Sequence, residues 1–192
     1  MTKKALYFIT GSSGAGKTTL LKGVIESAYP NLAAYHFDDL GLPSLEEMNA
    51  QFGGPAEWQA YTTRQWIAKV AQRDDLGLVV IDSQARPSVI IDAAKEAGFS
   101  ALHITLIDCS HAERRRRLIE DRAQPELDNL DMYAWAAYLR GQADALKLEV
   151  IDTTSRSIGE TVKELSHSIG RFASETGTNV KHGSDAKGIL KA

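Results

Sequence analysis

A single cysteine, Cys109, stands among the 192 residues, which excludes an intramolecular disulfide and a zinc site built on several thiolates. Charge of either sign is also scarce as a net quantity. The chain has 22 Lys and Arg against 25 Asp and Glu, a formal net charge of -3, so no global basic field draws DNA or RNA. Nucleic acid is therefore not an expected partner. No apolar run approaches the roughly 20 residues that cross a bilayer. Lys3 and Lys4 precede only the short apolar run Ala5 to Ile9, too brief for a signal peptide. These absences lead to the expectation of a cytoplasmic protein without membrane contact. No internal repeat is present, the length suits one domain with a core on both faces of a sheet, and the oligomeric state is left open.

What the chain does have is the stretch Gly11-Ser12-Ser13-Gly14-Ala15-Gly16-Lys17-Thr18. It fits G-x-x-x-x-G-K-[ST], in which glycines let backbone N–H groups curl around phosphate oxygens, a lysine reaches the terminal phosphates and a hydroxyl binds magnesium. Ala5 to Ile9 has the length of a buried strand, and Thr19 to Ile25 continues a helix opening at Lys17. Lys17, Thr18 and the N–H groups of residues 14 to 19, including that of Thr19, would then hold phosphate at the positive end of a helix.

Apolar runs recur at residues 5 to 10, 32 to 37, 77 to 81, 102 to 107 and 148 to 151, with helical stretches between them. This alternation predicts an α/β fold: a five-stranded parallel sheet with helices on both faces and ligands beyond the carboxyl ends of the strands. Four strands run into Gly11, Asp38 and Asp39, Asp82, and Asp152 at that end. Asp38 is the first choice for orienting an attacking hydroxyl or accepting its proton, with Asp39 second. Adjacent side chains in an extended segment point opposite ways, so one of the pair faces the phosphates. Asp82 ends an apolar strand as the second acidic element of a nucleotide site does, where a carboxylate holds the magnesium shell.

Residues 40 to 76 read as an acceptor-binding insertion with a helix from Ala56 to about Gln72. Its Trp58, Tyr61, Gln65 and Trp66 either meet a ring-bearing acceptor or simply pack the helix. Gln84 and Arg86 follow the third strand, where an amide and a guanidinium can meet substrate or the moving phosphate. Ser110 reads as a helix cap with Glu113 as its capping-box partner. In the helix that follows, Leu118 and Ile119 mark an apolar face with Arg115 and Arg122 near its centre. Arg114, Arg116 and Arg117 then fall on a solvated face. Arg122 is the first choice for stabilising charge on the transferring group, followed by Arg115 and Arg117. Residues 123 to 130 form a short lid. Arg140, in a helix over 130 to 146, is placed to reach back to the phosphates. Asp152 to Ser155 either flanks an adenine ring or starts the last helix, expected from about Ser157 to Phe172. The domain is expected over 1 to 173, with 174 to 192 a flexible tail.

Together, Gly11 to Thr18, Asp38-Asp39, Leu78 to Asp82 and Arg117 to Arg122 resemble the small P-loop kinases related to adenylate, shikimate and gluconate kinases and chloramphenicol phosphotransferase. The resemblance covers about residues 5 to 172. It implies a three-layer α/β/α P-loop NTPase fold of strand order 2-3-1-4-5, ATP and Mg2+ as cofactors, and transfer of the γ-phosphate to a small-molecule acceptor. Asp38 would bind or activate the acceptor, and Arg122 would be the lid arginine. The lid lacks a long arginine-rich loop and zinc-binding cysteines, and no segment matches the acceptor motif of any one of these kinases. A regulatory ATPase or switch, with Gln84 positioning water, is the alternative from another class, and a kinase of nucleic-acid ends is a third reading.

Overall fold

The computed structural model describes residues 4–29, 32–36, 43–73 and 75–178. Five strands form one parallel sheet of order β2-β3-β1-β4-β5: β1 (Ala5–Thr10), β2 (Ala34–His36), β3 (Leu78–Asp82), β4 (Ala101–Asp108) and β5 (Glu149–Asp152). The expected fold class and strand order are those observed.

Burial on both faces explains why the strands are nearly continuous apolar runs. Along β1, which is buried throughout, side chains alternate between two cores. Ala5, Tyr7 and Ile9 meet helices α1 (Lys17–Ser27) and α7 (Ile158–Thr176) on one face. Leu6 and Phe8 meet α3 (Pro55–Ala71) and α4 (Pro87–Glu96) on the other. Helix α6 (Leu130–Leu146) covers β4 through Leu139 and Ala143 against Leu106. Trp58 and Trp66 join the α3–α4 core, so packing is the reading that holds for them, whereas Tyr61 is exposed and lies against Phe52.

Two helices went unassigned in the sequence. Helix α2 (Leu45–Phe52) starts at a capping box of Ser44 and Glu47, and α4 starts with Pro87 in its first turn. Helix α7 continues past the expected boundary at residue 173 to Thr176, with Ala173 and Thr178 buried. Among the described residues no helix is long and apolar enough to cross a membrane.

The arginine-rich segment is α5 (His111–Arg116), continued by a π-type turn over Arg117–Asp121 in which Arg122 N–H donates to Arg117 O at 3.0 Å. Its inward face differs from the expected one. Arg114 is buried, Arg117 is half-buried, and Ile119 is 37% exposed. The reason is what lies beneath: α5 rests on the glycine loop, whose inward-facing groups demand hydrogen-bond donors rather than apolar contact. Arg116 does sit on the solvated side, and Arg115 joins it there, paired with Asp128 at 3.4 Å.

Candidate nucleotide and phosphoryl-transfer site

The glycine loop leaves β1 at Gly11 and enters α1 at Lys17. A side chain at Gly11 would put its Cβ 2.3 Å from the carbonyl oxygen of Ile107, so the close approach of the loop to β4 requires glycine. Gly16 precedes α1 in the left-handed region, φ 99°, which turns the chain into the helix. No acidic residue of α1 itself occupies its first turn, so the helix offers its positive end to the loop. Lys17 Nζ donates to Ser12 O across the loop at 3.0 Å.

Asp82 is 3% exposed and is held by both oxygens. Thr18 Oγ1 donates to Oδ2 at 3.0 Å, and His36 Nδ1 meets Oδ1 at 2.7 Å. Thr18 and Asp82, 64 positions apart, thus present hard oxygen donors side by side, the set that suits magnesium together with phosphate and water oxygens. Among the described residues no cluster of three or more His, Cys, Asp or Glu side chains could hold a metal ion.

The segment after β3 is tied to the loop. Thr10 Oγ1 donates to Ala85 O at 2.7 Å, and Gln84 Nε2 donates to Ser13 Oγ at 3.1 Å. Arg86 follows, its guanidinium 5.5 Å from the Trp135 ring centroid. From the other side, Arg114 Nε donates to Ser12 Oγ at 2.9 Å and its Nη2 to Asp108 Oδ1 at 2.9 Å. Arg117 Nη1 reaches the carbonyls of Gly14 and Ala15 at 3.3 and 3.2 Å and Thr153 Oγ1 at 2.9 Å. Glu113 does not complete the capping box: its carboxylate is drawn to Arg116 and Arg117 instead, and the hydrogen bonds from these two hold it well below the usual range, at about 2.

Gly14, Gly16, Lys17, Thr18, Thr19, Arg117, Asp121 and Arg122 line one cleft of about 400 Å³. A second cleft, of about 320 Å³, continues from Ala15 and Gly16 to Thr153, Ser157 and Ile158 at the start of α7. Arg122 thus stands with Lys17 and Thr18. Arg140 does not line this cleft and turns to Asp144 at 3.0 Å and Asp108 at 3.7 Å. Asp152 accepts from the Thr154 N–H and hydroxyl, a turn role, and these bonds lower its pKa. Asp38 and Asp39 lie outside the described residues.

Charge pairing separates two arginines from the rest. Arg64, Arg73, Arg114, Arg115, Arg116, Arg117, Arg140, Arg156 and Arg171 all pair with carboxylates. Arg86 and Arg122 have no carboxylate partner among the described residues; Arg86 lies four residues beyond the end of β3, and Arg122 lines the cleft of the loop. An arginine left without a protein anion is free to receive one from a ligand.

Sequence reasoning missed His36 and Arg114. His36 is the register partner of Asp82 across β2 and β3, which a strand alignment ending both strands together would have exposed. Arg114 lies one helical turn before buried Leu118, the signal that it shares the inward face.

No protein-family model matches the chain, and no curated protein matches it. Solved structures do. The shikimate kinase from Acinetobacter baumannii in complex with shikimate aligns over 93% of this chain and 97% of its own, at TM-score 0.56 and 14% identity. A gluconokinase from Sinorhizobium meliloti aligns over 91% and 95%, at TM-score 0.58 and 16% identity. The Mycobacterium tuberculosis APS kinase in complex with AMPPNP and APS aligns over 88% and 98%, at TM-score 0.55 and 18% identity. Likeness at these identities shows the fold, which is that of the small P-loop kinases.

Proposed function

We propose that the chain is an ATP- and magnesium-dependent phosphotransferase that moves the γ-phosphate to a hydroxyl of a small molecule. The observation that carries this reading is the meeting, at one sheet edge, of the Lys17 loop, the Thr18–Asp82 oxygen pair and Arg122, which has no carboxylate partner among the described residues. The kinases of the same fold, among them the structure holding AMPPNP and APS, support it.

In this reading the loop amides and Lys17 bind the β- and γ-phosphates, and the cleft beside Thr153 and Ser157 takes the base. Thr18 and Asp82 would hold a magnesium ion, which would supply charge neutralisation at the phosphates. Asp38, two residues beyond the end of β2, orients the acceptor hydroxyl and takes its proton as the oxygen–phosphorus bond forms; the bond from phosphorus to the β–γ bridging oxygen breaks, and ADP leaves. Arg122 stabilises charge on the moving group, and Arg86, braced on Trp135, receives an anionic group of the acceptor. Arg140 acts from outside the cleft, sharing Asp108 with Arg114. Residues 40 to 76 form the cap on the acceptor side, with Asp39 as a second acceptor contact. The Gln84 amide is engaged with Ser13, which disfavours its use as the water-positioning group of a switch ATPase.

ADP release measured with and without a panel of nucleosides, sugars, shikimate-like acids, and aminoglycoside and phenicol antibiotics tests the reading. Stimulation by at least one hydroxyl compound, with phosphate gained by that compound, is expected. Basal release unchanged by every acceptor overturns it.

A further inference from the structure

We infer that His36 is a positioning residue for the magnesium carboxylate: its ring fixes Asp82 so that Oδ2 faces Thr18. The inference rests on the nucleotide reading above, but it concerns a residue that reading does not use.

The placement follows from register. In the parallel pair β2–β3, Ala34, Tyr35 and His36 stand beside Val80, Ile81 and Asp82, so the His36 and Asp82 side chains leave the sheet on the same side. The resulting contact is 2.7 Å, from Nδ1 to Oδ1. An ionised carboxylate only accepts, so it selects the form of the ring with a proton on Nδ1. Asp82 is almost fully buried, and a buried carboxylate must have its lone pairs met.

The two partners of Asp82 are not equivalent. The Thr18 hydroxyl that donates to Oδ2 keeps its lone pairs for the ion, so Oδ2 faces both the loop and the metal shell, whereas Oδ1 is met by His36. With Oδ2 given to Thr18 and the metal shell, the His36 bond on Oδ1 holds the other edge of the carboxylate against rotation, a terminal torsion that is otherwise broad. A group that orients a metal-holding carboxylate in this way is worth about 10- to 100-fold in metal affinity. A purely structural duty is met elsewhere, because the backbone ladder and buried Tyr35 already join β2 to β3.

The test compares AMPPNP affinity with magnesium and with EDTA, by titration calorimetry, in wild type, His36→Leu and His36→Asn. In His36→Leu the magnesium-dependent gain should fall about tenfold while the metal-free affinity holds. His36→Asn carries an amide donor near the Nδ1 position and should retain most of the gain. His36→Gln, whose amide lies further out, replaces the leucine variant if that protein does not fold. The proposal is overturned if His36→Leu keeps the full gain, if affinity drops equally with and without metal, if Leu and Asn fall together, or if wild type shows no gain from magnesium. Failure of the phosphotransfer reading registers separately, as wild type that binds magnesium and AMPPNP yet transfers phosphate to no acceptor.

Discussion

Thr18 Oγ1 lies 3.0 Å from Asp82 Oδ2, a hydroxyl at the start of α1 donating to a carboxylate at the end of β3. The contact joins the glycine loop to the second acidic element through side chains alone. Asp82→Asn should therefore leave nucleotide binding without metal intact and remove most of its magnesium dependence. Lys17→Ala should lower turnover at least about a hundredfold, since it deletes the cation that the proposed function puts against the phosphates. Nucleotide binding with and without magnesium, beside steady-state turnover, checks both.

Arg122 and Arg86 should separate in kinetics. If Arg122 serves the moving phosphoryl group as proposed, Arg122→Ala should lower kcat by about 10²- to 10³-fold with modest change in nucleotide KM. Arg86→Ala should raise the acceptor KM about tenfold and leave the nucleotide KM alone. The same shift in both parameters for both variants would remove the distinction.

Arg114 carries the heaviest structural duty of the arginine cluster. Its side chain is 4% exposed and links Ser12 to Asp108, so Arg114→Met breaks a buried pair, leaves Asp108 with the Cys109 N–H and the more distant Arg140, and should cost about 3 kcal/mol in denaturant unfolding. Arg115, with its side chain 64% exposed beside Asp128, should cost under about 0.5 kcal/mol when changed to Met.

These two neighbours mark where sequence reasoning stopped. The glycine loop and Asp82 were legible because spacing within one segment encodes them: a loop of fixed length between strand and helix, and an acid closing an apolar run. The sheet was legible because strands buried on both faces leave continuous apolar runs. Arg114 and Arg117 depend on partners 102 and 103 positions away, on a helix resting upon a polar loop instead of an apolar sheet, and His36 on a partner across a strand pair. A helical wheel centred on Leu118 and Ile119 assumes an apolar partner, and that assumption moved Arg114 to the wrong side. Helix α2 went unassigned although its capping box was there in the sequence, because only eight residues follow it, too few for a clear period.

Acid stability should report a second buried network. Glu149 accepts from Thr105 at 3.1 Å and from Arg171 at 2.9 Å, meets His103 at 3.0 Å and also bonds Ser168. The His103 bond first, then those from Ser168 and Thr105, hold its pKa at about 2. A carboxyl depressed in the folded state stabilises above its unfolded pKa of about 4.3 and loses that contribution as pH falls through the folded value. Wild type should thus lose more stability than Glu149→Gln between about pH 4.5 and 2. Melting temperatures measured across that window check it, and parallel slopes would deny the network this role.

Phosphorus NMR of wild type with ATP, magnesium and the acceptor panel tests the central claim most directly. A phosphomonoester resonance growing in step with ADP, on at least one acceptor and absent in Asp38→Asn, is the predicted result. ADP formed only with inorganic phosphate, whatever the acceptor, would contradict phosphotransfer and leave a nucleotide hydrolase on this fold.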